Sequence, residues 1–159
     1  MQDFHLQGWT FRYDSHRTQE FYEAITLADT PFVRNFLENR DSFPAELSGL
    51  LQIFGASPLL PYELFPSVCD RVEQKGEYIL YYPICGEALH PEGDPTYSID
   101  LGTMQAHILS CHQIGLTDPF PGEFGFVLEI RLLLLPWKLT DVSMQEVYSP
   151  RRFSWKKKG

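Results

Sequence analysis

The chain has 159 residues and a mass of 18.4 kDa, a size that fits one hydrophobic core. With 43% hydrophobic residues, including 12 Phe, 8 Tyr and 3 Trp, it carries enough apolar surface to offset chain entropy, which excludes disorder over most of its length. The net charge of −8 is unevenly placed: residues 151–159 hold five cations and no acid, so residues 1–150 set eight cations against twenty-one acids, a net of −13.

Residues 4–13 read as one strand. Phe4 and Leu6 share a phase that Trp9, Phe11 and Tyr13 reverse, and a glycine bulge at Gly8 accounts for the change. From Ser15 the period becomes helical through Phe21, Ile25 and Ala28, with Ser15 or Thr18 as the candidate cap. Thr30 and Pro31 mark the start of a second helix carrying Phe32, Val33, Phe36 and Leu37. Ser42 and Pro44 precede a third, with Leu47, Leu50, Leu51 and Phe54 on one stripe and Gly55 as the left-handed stop. Pro66 opens a short fourth helix through Val68, Cys69 and Val72, ended by Gly76.

The run Glu77 to Ile84 is aromatic and β-branched on both faces and predicts a central strand. Gly86 to Pro95 reads as a loop, and Tyr97, Ile99 and Leu101 alternate as a strand with one solvated face. Met104, Ile108 and Cys111, with His107 beside them, form a helical stripe over about residues 103–114 that Gly115 ends. Phe124, Phe126, Leu128, Ile130, Leu132 and Leu134 share one face of the clearest strand, which Pro136 stops, and residues 139–148 read as a further edge strand. The expected architecture is therefore α+β: a single acidic domain over 1–150, mainly antiparallel sheet, with a helical segment over about 16–75, one further helix over about 103–114, and a basic tail over 151–159.

Three cysteines at irregular spacing, Cys69, Cys85 and Cys111, read as reduced thiols rather than a disulfide framework. No basic stretch followed by an apolar one opens the chain, and the longest apolar run, Leu132 to Trp137, is too short to span a bilayer, so a cytoplasmic protein is expected. Phosphate-cradling glycine loops, zinc-protease and serine-hydrolase motifs and paired-cysteine zinc signatures are all missing, and no cofactor is expected.

Two sets of residues are candidates for function. Between Gly76 and Ile130 the chain carries eight acids and neither Lys nor Arg: Glu77, Glu87, Glu92, Asp94, Asp100, Asp118, Glu123 and Glu129. An acidic field without local counter-charge steers a basic protein partner and repels nucleic acid, and Tyr78, Tyr81, Tyr82 and Tyr97 would serve as interface anchors. The expected binding set is Glu77, Tyr82, Glu87, Glu92, Asp94, Tyr97, Asp100, Asp118 and Glu123. In size, acidity and lack of catalytic motifs the chain is similar in kind to the immunity proteins that bacteria pair with toxins such as nucleases, a likeness of charge and size that rests on no motif.

The alternative is a small metal-dependent or thiol hydrolase using Cys85, His90, His107, Cys111 and His112, because His107 and Cys111 would share a helical face. The stronger reading of Cys111 is a small buried hydrophobe on the stripe of Met104 and Ile108. The tail interleaves Phe153 and Trp155 with five cations, a composition that grips phosphate or anionic lipid, but the −13 body repels both within about a Debye length of ~10 Å. No direct nucleic-acid or membrane partner is expected, and a homo-oligomer in which the tail docks on a neighbour is a third reading.

Overall fold

The computed structural model describes residues 1–93 and 97–148, so Asp94 and the basic tail lie outside the described residues. The chain starts with a hairpin, β1 (Gln2–Leu6) and β2 (Trp9–Tyr13), in antiparallel register from Gln2 opposite Tyr13 to Leu6 opposite Trp9. Gln7 and Gly8 form its two-residue turn, both at positive φ, 49° and 85°. The phase change expected as a bulge is this turn, because two residues out of register with either strand reverse the alternation as well as one extra residue does.

Three helices follow: α1 (Ser15–Glu23), α2 (Pro31–Glu38) and α3 (Ala45–Phe54). Asp14, rather than Ser15 or Thr18, caps α1, its carboxylate accepting the Arg17 N–H at 3.0 Å. Thr30 caps α2 with Pro31 in the first turn, as the sequence predicts. The stripe of α3 is buried, and Gly55 closes the helix at φ 85°, where a β-carbon would strike the carbonyl oxygen of Ser15. Phe54 packs edge-on against Phe4, Phe11, Tyr13 and Phe126, making the contact that joins the helical segment to the sheet.

The sheet has seven antiparallel strands in the order β1-β2-β4-β7-β6-β5, with β3 beside β4, so the fold is single-domain α+β. The remaining strands are β3 (Glu63–Asp70), β4 (Lys75–Leu89), β5 (Ser98–Leu101), β6 (Met104–Ser110) and β7 (Gly125–Pro136). A four-residue helix, α4 (Met144–Val147), ends the described chain.

Four expectations are corrected here. The helix predicted from Pro66 is β3, whose only strand partner among the described residues is β4; Pro66 is tolerated on such an edge, and the exposure of Val68 and Val72 shows that no helical stripe was there to bury. The helix predicted over 103–114 is β6 followed by a 3-10 turn, Cys111–Ile114. Met104 and Ile108 fit a period of two through Ala106 equally well, and β6 lies between β5 and β7, so pairing across the chain decides the matter. In β7, Tyr78 faces Leu133 and Leu80 faces Ile130, so Arg131 and Leu132 together oppose Ile79, with Leu132 at φ 67°. This bulge shifts the phase: Leu132 and Leu134 are 47% and 55% exposed, whereas Leu133 and Leu135 are buried. The edge strand expected over 139–148 is instead a loop and α4, capped by Ser143.

β4 organises the molecule because its two flanks are covered differently along its length. On one flank β3 pairs with Glu63–Asp70 opposite Lys75–Tyr81, and β2 pairs opposite Gly86–Leu89. In the gap between them α1 takes the place of a strand: the Thr18 hydroxyl accepts the Cys85 N–H at 3.0 Å, and the Tyr22 hydroxyl donates to the Pro83 carbonyl at 2.9 Å. Pro83, which lacks an N–H, stands at this gap where no strand acceptor goes unused. On the other flank β7 pairs with β4 only as far as Cys85 opposite Gly125, with one further bond from the Gly86 N–H to the Phe124 carbonyl at 2.8 Å.

Candidate functional site

Where β7 stops flanking β4, the molecule has a cleft of about 720 Å³. Its walls come from the end of β4 and the loop after it (Glu87, His90), the start of β2 (Trp9), the residue before β5 (Tyr97), the end of β6 (Ser110) and the chain entering β7 (Phe124). Three aromatic rings form one cluster: His90 lies 4.2 Å from Tyr97 at 31° and 5.0 Å from Trp9 at 86°. Trp9 in turn stacks on Phe11 at 5.9 Å, which fixes the cluster to the core. Tyr97 and Phe124 are 61% and 68% exposed, so the mouth presents aromatic surface to solvent. Trp9 is 2% exposed, and its indole N–H has no acceptor among the described residues, a deficit of about 1–3 kcal/mol for a buried donor.

The cleft is acidic in character. Glu87 lines it, Glu92 lies exposed in the turn that follows β4, Glu123 adjoins Phe124, and no Lys or Arg among the described residues contributes to its walls. The cross-strand neighbour of Glu87 in β2 is Arg12, whose guanidinium stands 3.9 Å from Asp3. Aromatic faces and a carboxylate in one recess attract cations, through the ring quadrupole and through the negative charge.

Of the expected binding set, the structure brings Glu87 and Tyr97 together at this cleft, Glu92 and Glu123 follow or precede lining residues in the chain without lining it, and Asp94 lies outside the described residues. The others are elsewhere. Glu77 is ten residues from Glu87 on β4, about 30 Å at the rise of a strand. Tyr82 is fully buried, its hydroxyl donating to the Pro58 carbonyl at 2.6 Å and its ionisation pushed far up by burial, so it is a core residue and not an anchor. Tyr78 is likewise buried. Asp100 accepts the Gly102 N–H at 2.9 Å in the β5–β6 turn, and Gln7 clasps its backbone at 2.7 and 2.9 Å. Asp118 stands in the loop before β7 at φ 47°. Glu129 is buried and accepts from the Arg131 Nε at 2.6 Å, with burial and its carboxylate raising the Tyr81 hydroxyl. The seven acids among the described residues are therefore spread along and across the sheet and into the loops beside it: Glu77, Glu87, Asp100 and Glu129 share one face of the sheet but stand far apart on it.

The His and Cys set is dispersed as well. Cys85 and Cys111 border Gly125 in the interior, and burial pushes each thiol up to about 11, the opposite of an activated nucleophile. His90 belongs to the aromatic cluster, His107 faces Glu129 across β6 and β7, and His112 is exposed. Among the described residues no three His, Cys, Asp or Glu side chains are grouped to hold a metal ion. The helical face that His107 and Cys111 were expected to share is corrected: His107 lies on β6 and Cys111 in the 3-10 turn after it.

Trp9 and Phe124 were not among the expected site residues. Both fall on apolar alternations that read as core, and only the position of Phe124 just after the Pro–Gly corner at 121–122 signalled that it stands outside the strand. No helix among the described residues is long and apolar enough to cross a membrane. Compared with protein-family models, curated proteins and solved structures, the chain matches none.

Proposed function

We propose that this protein is a non-catalytic binding module whose cleft between β4 and β6 receives a cationic segment of a basic protein partner and thereby occludes it. The observation that carries the reading is the cleft itself: exposed Tyr97 and Phe124 over a buried Trp9, with Glu87 in the wall and no Lys or Arg among the described residues lining it. Aromatic anchors set in a recess supply the buried area of a protein interface, and the surrounding negative field supplies orientation and speed of encounter. The −13 carried by residues 1–150 extends that field over the whole body.

The finer form of the proposal is an inhibitor of the immunity-protein kind, acting in the cytoplasm on a basic toxin such as a nuclease. Its support is physical: a surface that binds polyanionic nucleic acid is complementary to an acidic body of this charge. The test is the association rate with basic proteins retained by the immobilised protein at low salt. Replacing Glu87 and Glu92 together by Lys should lower the rate by about tenfold or more and flatten its dependence on ionic strength. An unchanged rate would remove the cleft from the interface.

A further inference from the structure

β7 covers this flank of β4 only from Gly125 onward, and β6 ends at Ser110 opposite Phe126, so beyond that level the flank of β4 at Gly86–Leu89 opens into the cleft. We infer that the partner's segment binds in extended conformation and continues the sheet by pairing with β4 at Gly86–Leu89, in the place β7 leaves open. This rests on the cleft being the binding surface, and adds how the main chain of the occupant is held.

The hydrogen-bonding pattern defines the open edge. Asp14 N–H donates to the Cys85 carbonyl at 2.9 Å, and Arg12 opposite Glu87 and Thr10 opposite Leu89 continue that register, so odd-numbered residues of this stretch turn their polar groups toward β2. Gly86 donates the other way, to Phe124. By the same alternation the N–H and carbonyl of Ala88 point into the cleft, and no strand among the described residues pairs with that edge. The equivalent vacancy on the opposite flank is answered by Thr18 and Tyr22 of α1, whereas this flank faces the recess lined by Tyr97 and Phe124. Trp9, in the same wall, has an indole N–H without an acceptor among the described residues.

Side chains on an added strand alternate between the two faces of the sheet. On one face they meet Trp9, His90 and Tyr97, and on the other Glu87 and the exposed Leu89. The occupant that fits is therefore an extended segment alternating apolar or aromatic residues with Lys or Arg, with charge complementarity to Glu87, Glu92 and Glu123.

The experiment uses the full chain and an acetylated, amidated heptapeptide of alternating lysine and valine, with two further versions N-methylated at odd or at even positions. Strand addition predicts that one methylated version binds at least tenfold more weakly than the parent while the other does not. It also predicts that exchange of the Ala88 amide slows at least tenfold in the complex. Ala88→Pro, which removes an N–H that makes no bond to β2, should weaken the parent peptide to the same degree while the protein keeps its melting temperature. Equal binding of all three peptides with unchanged Ala88 exchange overturns strand addition and leaves the cationic cleft standing. Failure of the parent peptide to bind at low salt overturns both.

Discussion

Replacing Gly86 by alanine should be among the most destabilising single substitutions available in the sheet. Gly86 has φ 142°, a region essentially reserved for glycine, and marks the point where β4 exchanges β7 for β2 as its pairing partner. A β-carbon there would collide with the carbonyl oxygen of Arg12 and stand 2.6 Å from the Tyr13 Cα, both backbone atoms that cannot rotate away. Relief requires β2 to lift from β4, which weakens the bond from Asp14 to Cys85 and its neighbour at Arg12 and Glu87, at about 1 kcal/mol each. Conformational strain adds about 1–3 kcal/mol. The expected loss is about 3–5 kcal/mol, or a fall of about 10 °C in Tm at ~2–4 °C per kcal/mol for a chain of this size. Gly115→Ala is the control: its φ is 72° but open space surrounds the added carbon, so it should cost only the strain of about 1–2 kcal/mol. Urea unfolding followed by tryptophan fluorescence reads both. A cost for Gly86→Ala no greater than that of the control would refute the close approach of β2 and with it the pairing switch that opens the cleft.

The remaining predictions address the core, the bulge and the cleft mouth. Burial raises Cys85 and Cys111 from the ordinary 9.0 to about 11, so the folded state holds protons that the unfolded chain releases first; stability is fully present below pH 9 and falls between pH 9 and 11. Unfolding midpoints at pH 8 and 10.5 should differ accordingly, and at pH 8 a thiol reagent should label Cys69 well before the two buried cysteines. Leu132→Gly should be neutral or stabilise by up to about 1 kcal/mol because it relieves a positive φ, whereas Leu133→Ala should cost about 2–5 kcal/mol; reversed effects would contradict the bulge. Phe124→Ser and Tyr97→Ser should leave stability within about 0.5 kcal/mol while weakening the lysine–valine peptide, as isothermal calorimetry would show.

The sequence reveals most where a local signal and the tertiary outcome coincide. Thr30 and Pro31, the stripe of Leu47 to Phe54 with Gly55 behind it, and the twice-apolar run of β4 all fold as their patterns predict, because capping, burial and dihedral preference act within a few residues. Met104 to Cys111 is misread because eight residues cannot separate a period of two from one of 3.6, and the arbiter, pairing with β7 some twenty residues on, leaves no mark nearby. Pro66 reads as a helix start although it lies in an edge strand, since the same missing N–H suits both. The acids are legible as a composition but not as a surface: Glu129 and Glu87 fall on the same face of the sheet, yet Glu129 is buried in a central strand beside Arg131 whereas Glu87 stands where β7 has ended, and only strand pairing tells the two apart. Trp9 and Phe124 stay hidden for the converse reason, since an aromatic bordering a recess is written like one in a core.

The dependence of everything on β4 also governs how the polypeptide acquires its shape during synthesis. The opening hairpin and α1 to α3, with Trp9, Phe11 and Phe54, leave the ribosome before the strand they rest against, and that strand waits a further forty residues for β7 to close its second side. Half of the nascent molecule thus carries large aromatic surfaces with nothing yet to cover them, and the long loops that must close make folding slow for the chain's length. Translation pace and chaperone supply will therefore set the yield of this protein more than its final thermodynamic stability does.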